Sequence, residues 1–77
     1  MRLTVKVDGA AELGEQARSL EAADQALRQS FSGFDRDTVR PEVEKSVDKI
    51  GVVLSAEEIT AYAEAIGQRA DFELTLR

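Results

Sequence analysis

The chain opens and closes on short stretches in which apolar and polar side chains alternate: LTVKVD at residues 3–8 and DFELTLR at residues 71–77. A period of two is typical of a strand that buries one face and exposes the other to water. Between these stretches, apolar residues recur at steps of three and four, which indicates amphipathic helices. The sequence therefore predicts a strand at each end of a chain whose interior is helical.

Three helices are predicted between the strands. The first runs from about Ala10 to Gln29 and ends before Ser32-Gly33, where glycine can take the left-handed conformation of a helix C-terminus. The second begins at an Asp37 or Thr38 cap and ends at Gly51. We expect the paired aromatic residues at the corner between these helices, Phe31 and Phe34, to fill the core.

The third helix has the clearest start signal in the chain. Ser55 and Glu58 form the pattern of a capping box, in which each side chain bonds the other residue's backbone N–H. The segment before it, residues 52–54, is apolar and is predicted as either a short extra strand or a loop. Tyr62 follows on the apolar face of the helix.

A charged pair interrupts the apolar stripe of the first helix. Asp24 lies between Leu20 and Leu27, and Arg28 follows one turn later. Residues four apart on a helix are neighbours, so we expect Asp24 and Arg28 to pair on the solvent-exposed face.

The sequence leaves the direction of strand pairing open; an antiparallel pairing would place Val5 opposite Leu74. This register makes two favourable cross-strand pairs, Thr4 with Thr75 and Lys6 with Glu73. A parallel register remains an alternative.

These elements predict one α+β domain over residues 1–77, in which a small sheet of the N- and C-terminal strands packs against three helices in the order β-α-α-α-β. A sheet of two strands is marginal in water and leaves its outer edges unpaired. A third strand would come from residues 52–54 or from another protein chain. The sequence thus favours a protein that works by joining its sheet to copies of itself or to a partner.

The composition argues against most enzyme classes. The 77 residues include no Cys and no His, which removes the commonest general base, the commonest zinc ligands and any disulfide. The net charge of −5 comes without a basic block, so we expect no nucleic-acid partner. No stretch is apolar enough for a membrane span or a signal peptide, and we expect synthesis in the cytoplasm, no membrane partner and no cofactor.

The residues predicted to contact a partner lie on the exposed faces of the strands and of the third helix. Acidic residues in the first turn of a helix are usually there to complement its positive end, which is a stronger interpretation of the adjacent glutamates than catalysis or metal binding. Tyr62 is a core residue by type, but it is also allowed a place in an interface. The predicted interface consists of Thr4, Lys6, Glu57, Glu58, Tyr62, Glu64, Glu73 and Thr75.

Three segments follow one another in the order strand, helix, second helix. They are the opening LTVKVDGAAEL at residues 3–13, the helix over residues 17–31 and the segment TVRPEV at residues 38–43. Over residues 3–50 the chain resembles the head–tail joining and tail-completion proteins of tailed phages. From Gly51 on, the chain lacks that family's loop and later strands. The resemblance implies a ring-forming, non-catalytic subunit of the phage neck or tail, located in the virion and bound to other virion proteins.

The alternative function is a small acidic inhibitor or antitoxin-like protein that covers a basic surface on another macromolecule. It is favoured by the net charge and by the third helix, which has no Lys or Arg between Glu57 and Glu64.

Overall fold

A computed structural model describes residues 3–8 and 13–76 of the chain. Within these residues, three helices lie between two strands in the predicted order β-α-α-α-β, so the α+β fold is confirmed. The elements are β1 (Leu3–Val7), α1 (Leu13–Phe31), α2 (Arg36–Ile50), α3 (Ala56–Gln68) and β2 (Phe72–Leu76). The predicted start of the first helix at Ala10 lies outside the described residues.

The two strands pair parallel, which decides between the two directions that the sequence left open. Val5 does lie opposite Leu74, but Thr4 is opposite Glu73 and Lys6 is opposite Thr75. The three helical passes carry the chain back to the end of the sheet at which β1 starts, which places Phe72 beside Leu3. Parallel neighbours require a long crossover of this kind.

The core lies between the inner face of the sheet and the helices. The largest fully buried side chains come from all three helices: Leu20, Val39, Val43, Tyr62 and Ile66. The sheet contributes Leu3, Leu74 and Leu76, each at most 4% exposed. Because side chains alternate along a strand, the outer face of the sheet carries the polar residues and points to solvent.

The helix ends lie where local sequence signals predict them, except for the start of α2. The predicted capping box forms: the Ser55 N–H donates to Glu58 Oε1 at 3.0 Å, and the Glu58 N–H donates to Ser55 Oγ at 3.1 Å. Gly51 ends α2 in the left-handed conformation, with φ of 89°, as predicted. The start of α2 lies two to three residues earlier than predicted, because Asp35 is the cap.

The cap of α2 is a short network around one carboxylate. Asp35 accepts hydrogen bonds from the Asp37 N–H at 3.0 Å and from the Thr38 hydroxyl at 2.9 Å. The bond from the Asp37 N–H, followed by the one from Thr38, lowers the pKa of the Asp35 carboxyl. Asp37 and Thr38 therefore serve the cap as donors, whereas the sequence pattern assigned the cap to one of them.

The corner between α1 and α2 packs differently from the prediction. Phe31 is half-buried, but Phe34 is 49% exposed, so the expectation that both rings fill the core was wrong for Phe34. The two rings meet edge to face with centroids 5.6 Å apart. The backbone of this corner is held by α3, since the Gly33 N–H donates to the Gly67 carbonyl at 3.1 Å.

Residues 52–54 are an extended loop and not a strand, so within the described residues the sheet consists of β1 and β2 alone. Val52 of this loop is buried, whereas Val53 is 93% exposed. The helices that the structure describes include none with both the length and the apolar character required to cross a bilayer.

Candidate functional site

The outer edge of β2 presents backbone groups that the described residues do not pair. The Asp8 N–H donates to the Leu76 carbonyl at 2.9 Å, so the backbone groups of Leu76 point towards β1. Leu74, two residues earlier in β2, points its backbone groups in the same direction. In a parallel ladder the intervening residues turn theirs the other way. The N–H and C=O groups of Glu73 and Thr75 therefore point out of the sheet, away from β1.

A groove of about 640 Å³ runs along this edge. It lies between β2, the start of α1 and the loop that connects α2 to α3, and Glu73 and Thr75 form part of its wall. Its other lining residues are Leu13, Gln16, Gly51, Val52, Val53, Leu54, Glu58 and Leu76. The groove thus places an apolar loop, with the exposed Val53 at its rim, beside an unpaired strand edge.

The edge of β1 is not equivalent. By the same alternation, the backbone N–H of Leu3 points outward from the sheet, and there it donates to Asp24 Oδ2 of α1 at 3.2 Å. A carboxylate from the neighbouring helix thus satisfies the first outward donor of β1. The asymmetry is confined to this first donor, which makes the Leu3 end of the β1 edge a poorer template for another strand.

Asp24 is the centre of a buried polar network. It is 3% exposed, and its Oδ1 accepts hydrogen bonds from Arg28 Nε at 2.8 Å and from the Tyr62 hydroxyl at 2.5 Å. The predicted pairing of Asp24 with Arg28 is confirmed, but its predicted place on the solvent-exposed face was wrong. Asp24 faces β1 and α3, so the charge that interrupts the apolar stripe points into the core.

Tyr62 belongs to this network and not to the surface. Its side chain is 1% exposed, and its ring stacks on Phe72 of β2 with centroids 5.5 Å apart. Burial, reinforced by the hydrogen bond to Asp24, raises the pKa of the Tyr62 hydroxyl well above its ordinary value. The predicted contact of Tyr62 with a partner is therefore contradicted, and the residue supports β2 from the inside.

Arg28 contributes only part of its hydrogen-bonding capacity to the network. Its side chain is 10% exposed, yet the terminal nitrogens Nη1 and Nη2 are buried without an acceptor among the described residues. A buried donor without a partner lowers stability. The unpaired nitrogens of Arg28 in this network therefore lower the stability of the folded protein.

The predicted interface residues of the strands lie together on the outer face of the sheet. Thr4, Lys6 and Glu73 are exposed and Thr75 is half-buried. Lys6 Nζ lies 3.3 Å from Glu73 Oε1 across the two strands, so the carboxylate beside the open edge has a cation next to it. Their alternation with core residues was the signal that identified these four positions.

The predicted interface residues of α3 are divided between different roles. Glu58 is the N3 member of the capping box whose N-cap is Ser55, and it also lines the groove beside β2. Glu64 accepts from Gln68 Nε2 at 3.2 Å and lies 3.9 Å from Arg36 Nη1. Glu57 is exposed and, with Glu64, borders a shallow depression on α3 that is otherwise lined by Ala56, Thr60 and Ala61. Glu57 and Glu64 therefore form a second surface.

The part of the chain that the structure describes contains no group of three or more Asp, Glu, His or Cys side chains that could hold a metal ion. In comparisons with known proteins, no family model, no curated protein and no solved structure matches the chain.

Proposed function

We propose that the protein is a non-catalytic assembly subunit that associates with further copies of itself by strand addition at the open edge of β2. The observation that carries the proposal is the outward direction of the Glu73 and Thr75 backbone groups beside the groove. Strand addition satisfies such groups with main-chain hydrogen bonds, and side-chain pockets next to the edge provide specificity.

The size of the sheet supports the same function. Two strands alone are marginal in water, and three or more give a sheet independent stability. Proteins protect exposed edges with charged side chains (especially lysine), with proline or with a bulge. β2, with the sequence FELTL, contains neither Lys nor Pro, and the charge of its Glu73 is paired with Lys6. An added strand would both enlarge the sheet and cover this edge.

The non-catalytic role is supported by the residue types in the chain. With no His and no Cys, the sequence lacks the side chains that most often act as general base or nucleophile near neutral pH. The polar side chains that lie closest together, those of Asp24, Arg28 and Tyr62, are buried and bonded to one another. They bond one another inside the core and are not exposed to a substrate.

The specific setting that we propose is a ring at the neck or tail of a tailed-phage particle. It rests on the resemblance of residues 3–50 and on the sheet edge as a means of assembly. In that setting the subunit is synthesised in the cytoplasm, assembles with its own copies through the sheet edge and its helix faces, and also contacts other virion proteins.

The test is the solution mass of the chain by light scattering over a wide range of concentration. The natural sequence is expected to form oligomers, and Thr75→Pro is expected to shift the mass towards that of the monomer. Proline removes the N–H that points to the open edge but leaves the hydrogen bonds between β1 and β2 intact.

The matched control is Val7→Pro, which removes an outward N–H from the edge of β1 and is expected to leave the oligomers in place. Circular dichroism verifies that both variants remain folded. A natural sequence that is strictly monomeric at every concentration would contradict the proposal.

A second candidate function, an acidic inhibitor of a basic macromolecular surface, is favoured by the exposure of Glu57 and the loose pairing of Glu64. Reversal of both charges, Glu57→Lys with Glu64→Lys, is expected to abolish binding to a basic partner such as lysozyme in this case. Glu58 must be kept, because its side chain accepts one of the two hydrogen bonds of the capping box. Unchanged binding in the double variant rules this candidate out.

A further inference from the structure

We infer that the strand added to β2 is β2 of a second copy, an inference that rests on the proposed strand addition. The two β2 strands would run antiparallel and be related by a two-fold axis at Leu74. Two copies would then share a four-stranded sheet, since each contributes β1 and β2. Such an interface is isologous and closes on itself, so larger rings would need a further contact surface.

The choice of β2 over β1 as the added strand follows from the difference between the two edges. Leu3 already donates its outward N–H to Asp24, so a neighbour that approached the edge of β1 would have to displace a buried carboxylate. Removing the hydrogen-bond partners of a buried charge costs free energy. The β2 edge requires no such displacement.

The register about Leu74 follows from the direction of the backbone groups. It places Glu73 opposite the second copy's Thr75, and both residues turn their N–H and C=O outward. Residues that face each other in this way exchange both hydrogen bonds in an antiparallel ladder. The whole of β2, Phe72–Leu76, overlaps its counterpart.

The side chains match in the same register. On the inner face, Phe72 lies opposite the second copy's Leu76, and Leu74 lies opposite its own counterpart, so each row across the sheet is apolar. Aromatic and aliphatic cross-strand pairs of this kind are stabilising. On the outer face, each Glu73 carboxylate lies between Thr4 of its own copy and Thr75 of the other, with Lys6 diagonally adjacent.

Neighbouring registers are less favourable. An axis at Glu73 would place two carboxylates directly opposite each other, and like charges in this position are destabilising. An axis at Thr75 would leave Phe72 without a partner across the edge. The axis at Leu74 avoids both defects.

The groove gives a second, independent reason for a symmetric partner. It runs along the edge that would lie at the axis, so the two grooves and their rims would face each other. Val53, the most exposed large apolar residue among those described, stands at the rim and would be covered by the second copy. Glu58 and Glu73 line the groove and no Lys or Arg among the described residues does, so the two facing grooves would repel each other at low salt.

Because the chain has no Cys, single cysteines can report the register. We expect an equal mixture of Glu73→Cys and Thr75→Cys to form a disulfide-linked dimer under mild oxidation, seen on a non-reducing gel and located by mass spectrometry. Directly opposite strand residues bring Cα atoms to about 5.5 Å, within the range that a disulfide spans. Either variant oxidised alone should stay largely uncrosslinked.

Thr4→Cys mixed with Thr75→Cys is the matched control, because it places the first cysteine on the outer face of β1 instead of β2. Efficient cross-linking in this mixture would indicate head-to-tail addition of β1 and would overturn the inference. Cross-linking of Glu73→Cys alone or Thr75→Cys alone would indicate another axis and would also overturn it.

Hydrogen exchange of the natural sequence checks the inference without a cysteine. The amides of Glu73 and Thr75 are expected to become several-fold better protected as protein concentration rises. A chain that forms oligomers while these two amides exchange unprotected overturns the β2 interface but leaves self-association intact, whereas a strict monomer overturns the proposed function itself.

Discussion

Asp24 joins three parts of the chain inside the core. Its carboxylate accepts from the Leu3 backbone of β1, from Arg28 of α1 and from Tyr62 of α3. Removing one member of a buried charged pair usually costs about 3–5 kcal/mol, because the other charge is left without a partner. This network therefore links β1 to α1 and α3, and it lies at the strand edge opposite to the proposed interface.

The hydroxyl of Tyr62 makes stability depend on pH in the alkaline range. At neutral pH, Tyr62→Phe should lower the free energy of unfolding by about 1–2 kcal/mol through loss of one buried hydrogen bond. The folded state raises the pKa of this hydroxyl, so its contribution is complete below the ordinary value near 10 and is lost as pH rises above it.

Urea unfolding at several pH values from 7 to 11 tests this dependence. The natural sequence should lose about 1.4 kcal/mol per pH unit above pH 10 relative to Tyr62→Phe, since titration of Lys is common to both proteins. A difference between the two proteins that stays constant up to pH 11 would contradict the role of the hydroxyl.

At the scale of the elements, α3 approaches the corner between α1 and α2 so closely that Gly67 has no room for a side chain. A Cβ atom at this position would overlap the backbone carbonyl oxygen of Phe34. The same close approach allows the Gly33 N–H to reach the Gly67 carbonyl.

Gly67→Ala should therefore destabilise the protein, although alanine is the better helix former. We expect a loss of about 1–3 kcal/mol, because a backbone atom cannot move aside as a flexible side chain can. Gly14→Ala is the matched control in α1, where a Cβ meets nothing within 4 Å, and it should stabilise by about 0.5–1 kcal/mol. Chemical denaturation measures both; equal effects of the two substitutions would refute the packing argument.

At the scale of the whole molecule, the net charge opposes self-association, whereas the sheet edge favours it. Each copy carries a net charge of −5, so two copies repel each other electrostatically, and salt weakens this repulsion by screening it. The proposed interface itself is locally balanced, because each Glu73 has Lys6 beside it. Apolar rows and backbone hydrogen bonds would supply the attraction.

Salt should consequently strengthen self-association. We expect the dimer dissociation constant, from sedimentation or light scattering, to fall as ionic strength rises from about 0.01 M to 0.15 M, where the screening length shortens from about 30 Å to 8 Å. An acidic surface that binds a basic partner would show the opposite trend. Weakening of the dimer by salt would show that ionic contacts hold the copies together.

The sequence by itself determined the elements, and it did so through signals that act within a few residues. Alternation identified both strands and placed Thr4, Lys6, Glu73 and Thr75 on one exposed face, and Ser55 with Glu58 determined where α3 begins. Only the tertiary structure decided that the strands run parallel, that Asp24 points inward to bond the Leu3 end of β1, and that the outward groups of Glu73 and Thr75 lie beside the groove. Each of these depends on the path of the chain through three helices, and no local pattern encodes that path.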